Sequence, residues 1–270
     1  MRLGTLVRNE AIKVRHDRAF WIALVGLAGL IAIAMGGTAH VMARNPNVEP
    51  LSLPMGWPRI VAGASAVLVL FISVTVILSV TNEFRWGTLR QHFVAGLSRD
   101  EFYVAKTLVL LATVLLFFVT AVVVGGAFAL PYTSIGSATL VRWNDARLMA
   151  GSLLDLTGYA GLAFLIGVAL RRSGVAIGVF FLYLLLEQIV GDGLSKLDSI
   201  LHVVPRYLPS AVFGALHQPA RYYPTLAHAS RSGPPSAAAV LPTGTVVALA
   251  FAWLAAFLVA AYLILRRRDL

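Results

Sequence analysis

The chain has 270 residues, 59% of them hydrophobic and only 13% charged, with a mean hydropathy of +0.81 and no cysteine. A soluble domain is ~45–50% apolar and ~25% charged, so a soluble protein of this size would lack the polar side chains to cover its surface; disordered, collagenous and coiled-coil chains are excluded by composition, and a disulfide frame or thiolate metal site by the missing cysteines. The net charge of +10 comes from 22 Lys and Arg against 12 Asp and Glu, and because these lie between apolar blocks rather than on one face, they point to membrane topology and not to nucleic acid.

In chain order, residues 1–19 come first. Leu3, Leu6, Val7, Ala11 and Val14 recur at helical spacing, with Arg2, Arg8, Lys13 and Arg15 interleaved. This predicts a helix lying in the membrane interface; a plain basic flank that orients the first span is the bland alternative. The apolar run that follows is longer than a signal-peptide core, so it is expected to stay as a span. About 20 apolar residues cross the hydrocarbon, and six runs meet or approach that length, at about 20–42, 60–80, 102–130, 148–170, 174–190 and 240–265. The fifth is short enough to be a buried or broken helix, and the third is long enough for its first turn to project into water. No alternation of period 2 is present, which argues against a lipid-facing barrel. The expected fold is an all-α membrane protein, one transmembrane domain over 1–270 with six transmembrane helices.

Six spans place both termini on one side. Fourteen Lys and Arg then fall on the side of the termini and eight on the other, where the loops are longer. The denser side is expected in the cytoplasm.

Two connections carry pattern. In 82–99, Trp86, Leu89, Phe93 and Leu97 form one helical stripe, with Arg85, Arg90 and Gln91 off it. Ser98-Arg99-Asp100-Glu101 fits a capping box that starts a new helix near Arg99. A short amphipathic cytoplasmic helix between the second and third spans is predicted, turning at Gly96. An apolar stripe of this kind meets a partner or rests on the lipid surface. The loop 191–239 is long for a connection and is expected outside the cell. Its first half places Leu194, Leu197, Leu201 and Val204 on one face, interrupted by Pro205 and Pro209, as in a re-entrant or interfacial element. Its second half, around Tyr222, Tyr223, Pro234 and Pro235, reads as a polar loop.

Chemistry-bearing motifs are sparse. There is no glycine–lysine phosphate loop and no dinucleotide fingerprint. The six histidines, His16, His40, His92, His202, His217 and His228, show no metal-ligand spacing. No catalytic, cofactor or metal site is predicted. Asp155 and Glu187 lie within predicted spans, nearer the outer ends, where an ionised group is costly. They are candidate substrate-pathway residues facing a water-filled exit; otherwise they pair with Arg142 or Arg147 or sit at the interface. Gly174-x-x-x-Gly178 and the Gly158/Gly161 pair would let helices approach closely.

The segment Asn82-Glu83-Phe84-Arg85-Trp86-Gly87-Thr88-Leu89-Arg90, then Leu97-Ser98-Arg99 and Lys106, resembles the permease subunits of ABC-2-type transporters. So do the six-span plan, the Asn9, Glu10, Lys13 run before the first span and the Arg-Arg-Arg-Asp-Leu end. Gly96 departs from the family, where many members carry proline. The resemblance implies a membrane-embedded half without its own ATPase. It implies two ABC ATP-binding subunits and a second permease subunit as partners, in a homo- or heterodimer within the cell membrane, with ATP bound by the partner and both termini cytoplasmic. It further implies that Glu83, Trp86, Gly87, Thr88, Leu89, Arg90 and Phe93 couple the spans to the ATPase, with Glu83 at the hinge.

The leading expectation is therefore the permease subunit of an ATP-driven exporter. The rivals are an ion-coupled secondary transporter or channel that uses Asp155 and Glu187, and a membrane-embedded enzyme or assembly factor.

Overall fold

A computed structural model describes residue 8 and residues 12–45, 51–85, 98–133, 139–195, 200–223 and 241–267. Its long helices are α1 (Arg18–Arg44), α2 (Trp57–Arg85), α3 (Arg99–Ala129), α4 (Trp143–Leu170), α5 (Ser173–Ser195) and α7 (Thr243–Arg267). A short helix, α6 (Pro209–Leu216), lies between α5 and α7 and is flanked by 3-10 turns at Ile200–Tyr207 and Pro219–Arg221. Among the described residues, six helices are thus long and apolar enough to cross a membrane, and the protein is an all-α membrane protein.

Local chemistry sets the helix ends. The Asp17 carboxylate accepts from the Ala19 N–H at 2.9 Å and starts α1. The capping box read from the sequence is present: Ser98 Oγ accepts from the Glu101 N–H, and Glu101 Oε2 accepts from the Ser98 N–H at 3.0 Å. Asp145 accepts from the Arg142 N–H at 2.6 Å at the start of α4. Arg171, with φ of 56°, ends α4 in the left-handed region. Within the spans, several hydroxyls donate to carbonyls one turn back, as in Thr75 to Phe71 and Thr113 to Val109. That is why polar residues are tolerated at these depths.

The helices alternate in direction. The starts of α1, α3 and α5 and the ends of α2, α4 and α7 gather at one end of the bundle, the foot; the opposite end is the head. α2 and α4 form the central pair, with 56% and 61% of their most apolar stretch buried against 17% for α5 and α7. Lipid gives helices no hydrophobic reason to associate, so close approach through small residues matters. A Cβ on Gly125 would overlap Ile60, one on Gly158 would overlap the Phe213 ring, and one on Gly161 would stand 2.9 Å from Leu254. By contrast, nothing lies within 4 Å of a Cβ at Gly174 or Gly178.

Several expectations change. The fifth span is neither buried nor broken: α5 runs unbroken to Ser195 and exposes Leu182, Leu185, Leu186 and Ile189 on its outer face. Helix α4 begins at Trp143, earlier than its apolar run, because Asp145 caps it there. This places Asp155 near the middle of its helix rather than towards one end. The stretch at Tyr222 and Tyr223 is not a polar loop. Tyr222 is buried beside Val61 and Leu148 and donates to the Leu216 carbonyl at 2.9 Å. Tyr223 donates to the Asp145 carboxylate; burial first, and then this bond, raise its hydroxyl pKa. The low hydropathy of tyrosine and arginine there hid a buried turn. Of the expected interfacial helix, residues 12–16 are helical and Val14 packs on the core. Residues 1–7 and 9–11, like Trp86, Gly87, Thr88, Leu89, Arg90 and Phe93 of the expected coupling segment, lie outside the described residues.

Candidate functional site

The coupling segment is delimited by Arg85, the last residue of α2, and Ser98, which caps α3. Both flanks are fastened to other elements at the foot. On the α2 side, Glu83 is buried, and two cations converge on its Oε1: Lys106 Nζ of α3 at 2.6 Å and Lys13 Nζ of the N-terminal segment at 3.1 Å. The Lys106 side chain is only 4% exposed and that of Lys13 is 42% exposed. Lys106 is thus a buried counter-charge, while Lys13 reaches the same oxygen from water. One residue on, the Phe84 ring lies beneath the Arg171 guanidinium at 5.0 Å, in the range of a cation–π contact. Arg171 sits in the α4–α5 turn, so three separate elements grip the last turn of α2.

On the α3 side, Arg99 donates to the Arg266 carbonyl at 2.6 Å, and Tyr262 donates to Asp100 at 2.9 Å. One turn further, Tyr103 donates to the Leu258 carbonyl at 2.8 Å and stacks edge-on against Tyr262. These contacts join the start of α3 to the end of α7. A displacement of the coupling segment would therefore load the N-terminal segment, α3, the α4–α5 turn and α7 together. The family resemblance implied Glu83 as a hinge. Lys106 and Lys13 were missed as its partners, and Arg171 altogether. The signal was there in one respect: a lysine inside the apolar run of α3 needs an acid.

Above this clamp, Phe20, Thr75, Ser79, Lys106, Thr113 and Phe164 are among the residues lining a cavity of ≈ 30 Å³. That is room for a water molecule or two, far below the ~300–1,000 Å³ of a small-molecule site.

Towards the head, the structure separates the two span acids from the arginines considered for them. Asp155 is fully buried, and its Oδ2 lies 2.9 Å from His217 Nδ1. Glu187 is 8% exposed, and its Oε1 accepts from the Ser210 N–H, at the start of α6, at 2.8 Å. Arg147 lies over the Tyr222 ring, and Arg142 heads α4. His217 was the missed partner; it lies 62 residues from Asp155, beyond the two prolines that interrupt the expected re-entrant or interfacial element.

Six helices long and apolar enough to cross a membrane, among the described residues, make this a polytopic membrane protein. The sequence profile of the ABC-2 family transporter proteins matches residues 6–187, which is more than half of the chain and includes the clamp. The chain belongs to this family and is a membrane-embedded permease subunit of an ABC transporter. No curated protein matches it.

Proposed function

We propose that the chain is the permease of an ATP-driven exporter, with the foot in the cytoplasm and the segment 82–99 docked into a separate ATP-binding subunit. Two permease subunits and two ATP-binding subunits make the working assembly. The observation that carries the reading is the double anchorage of that segment: Glu83 held by Lys106 and Lys13 on one flank, Arg99 and Asp100 held by α7 on the other. A loop that merely rested on lipid would have no use for such fastening. Docked on an ATPase, Trp86, Leu89 and Phe93 would supply apolar area, and Arg90 would supply orientation. Closure of the ATP-binding subunits would then move the foot as one body and open the path outward. The basic residues of the foot, Arg15, Arg18, Arg99, Arg172, Arg266 and Arg267, support the cytoplasmic placement. The small cavity inside one chain supports a substrate path formed between two permeases.

The test is co-purification of a tagged chain from its own cells, together with Trp86→Asp and Leu89→Asp variants. A charge at the centre of an apolar interface costs about 2 kcal/mol or more, roughly 30-fold in Kd, so both variants should lose the ATP-binding subunit and transport together. Retention of transport by both variants, with no ATPase ever co-purifying, overturns the reading; transport driven by a proton or sodium gradient without ATP favours the ion-coupled carrier.

A further inference from the structure

Arginines at the head face two ways. Arg221 is turned inward: its guanidinium donates to the Ala215 and Leu241 carbonyls, both at 3.0 Å, and ties the turn after α6 to the entry of α7. Arg59, in the first turn of α2, and Arg142, just before α4, are exposed. Each of these guanidiniums is met by a thioether. Arg59 Nη1 lies 3.5 Å from Met42 Sδ of α1, and Arg142 Nη1 lies 3.6 Å from Met55 Sδ. Thioether sulfur is a weak acceptor, whereas a guanidinium fork matches two oxygens of a carboxylate or phosphate. The carboxylate closest in sequence, Asp145, is buried and already engaged by the Arg142 N–H and the Tyr223 hydroxyl. Among the described residues, neither guanidinium forms an ion pair. One turn links the two arginines. The Gly56 carbonyl accepts from the Arg59 N–H at 3.1 Å, so the turn that opens α2 carries both Arg59 and the sulfur that meets Arg142. Trp57 of the same turn donates to the Leu140 carbonyl at 2.8 Å. A rim thus runs from the end of α1, through the start of α2, to the start of α4.

Helix length sets the depth of this rim. α2 has 29 residues and α4 has 28. At 1.5 Å per residue each is about 42–44 Å long, the thickness of a bilayer with its headgroup regions. With their last turns at the foot, their first turns stand at headgroup level in the leaflet at the head. The surface beside the arginines is apolar there. Met55, Leu140, Val141 and Trp143 are exposed, Trp143 at 77%, and an indole is favoured at a membrane–water boundary. A soluble anion would make no use of that apolar surface. A phospholipid brings both halves of the match: phosphate oxygens for the guanidiniums and acyl chains for the side chains around them. A zwitterionic headgroup would also bring its own cation next to two arginines; an anionic one does not.

We propose that the rim carrying Arg59 and Arg142 binds an anionic phospholipid of the leaflet at the head. The two guanidiniums hold its phosphate, and its acyl chains lie beside Leu140, Val141 and Trp143. Such a lipid fastens the head ends of α2 and α4, the central pair, from outside the bundle. The site requires neither ATP nor a particular side for the head, so it stands apart from the reading under Proposed function.

The test titrates the purified, delipidated assembly in detergent with dioleoyl phosphatidylglycerol or dioleoyl phosphatidylcholine and counts bound lipid by native mass spectrometry. Basic residues of the foot also attract anionic lipid, so variants at the two ends are compared. The wild type should hold phosphatidylglycerol roughly tenfold more tightly than phosphatidylcholine at one site per permease. Arg59→Gln with Arg142→Gln should abolish the preference at that site, and Arg266→Gln with Arg267→Gln, at the foot, should leave it in place. Unchanged phosphatidylglycerol binding in the head variant overturns the site. So does a preference lost only in the foot variant. A preference that excess inorganic phosphate removes assigns the arginines to a soluble anion and overturns the lipid. If the double variant at the head fails to reach the membrane, Arg59→Gln and Arg142→Gln carry the comparison singly, each with a loss of roughly threefold.

Discussion

The foot and the head of this bundle both hide charge, and they do so in opposite ways. At the foot, cations from separate elements converge on the last turn of α2, two on Glu83 and one on the ring beside it. At the head, two acids on separate helices reach towards the two ends of one short helix. The first arrangement joins elements into one body; removing any one cation leaves the others on the last turn of α2. The second ties a single short helix into the bundle at both of its ends. If an ATP-binding subunit docks at the foot as proposed, the rigidity of the first arrangement lies where its push arrives.

The strongest way to break the comparison is to take out the centre of the foot. In Glu83→Gln, the 4% exposed Lys106 side chain keeps its charge and loses its acid. Breaking a buried pair from one side costs about 3–5 kcal/mol, so thermal unfolding of the purified assembly should shift down by several degrees and membrane levels should fall. Replacing both partners together, Glu83→Leu with Lys106→Met, should recover most of that stability while leaving transport uncoupled from ATP hydrolysis. A double variant that transported normally would make the clamp a matter of folding alone.

The next effect lies at the head. Gly158→Val would drive a side chain into the Phe213 ring, and overpacking of this kind costs about 1–3 kcal/mol. Gly178→Val, on a face with nothing within 4 Å, serves as the control and should change unfolding very little. Both glycines sat in stretches that looked alike as helix-packing sites, and only their surroundings distinguish them.

That contrast shows what could be read beforehand. Run length and hydropathy located six helices because lipid thickness imposes a length on any span. The Ser98–Glu101 capping box was legible because its chemistry is local. The partners were not: Lys13 meets Glu83 across 70 positions and His217 meets Asp155 across 62. A charge in an apolar run says that some counter-charge must be near; which one depends on how the helices pack. Helix α6 was missed for another reason. Two prolines and a run of only eight residues look like an interruption, although its apolar composition, Ala211 to Leu216, already demanded burial.

The smallest stability effect, and the one most specific to the foot, is expected at Lys13. Its side chain is 42% exposed, and screening by water holds such pairs to about 0–1 kcal/mol. Lys13→Ala should leave unfolding of the assembly nearly unchanged because Lys106 still neutralises Glu83. Its role, if the foot moves as one body, is mechanical: it is the tie between the N-terminal segment and the hinge. ATP hydrolysis in Lys13→Ala should then continue while transport per ATP falls, and Lys13→Arg, which keeps the charge and the reach, should restore the ratio. Equal transport per ATP in the wild type and Lys13→Ala would remove the N-terminal segment from the coupled body and leave α3, the α4–α5 turn and α7 to carry the stroke.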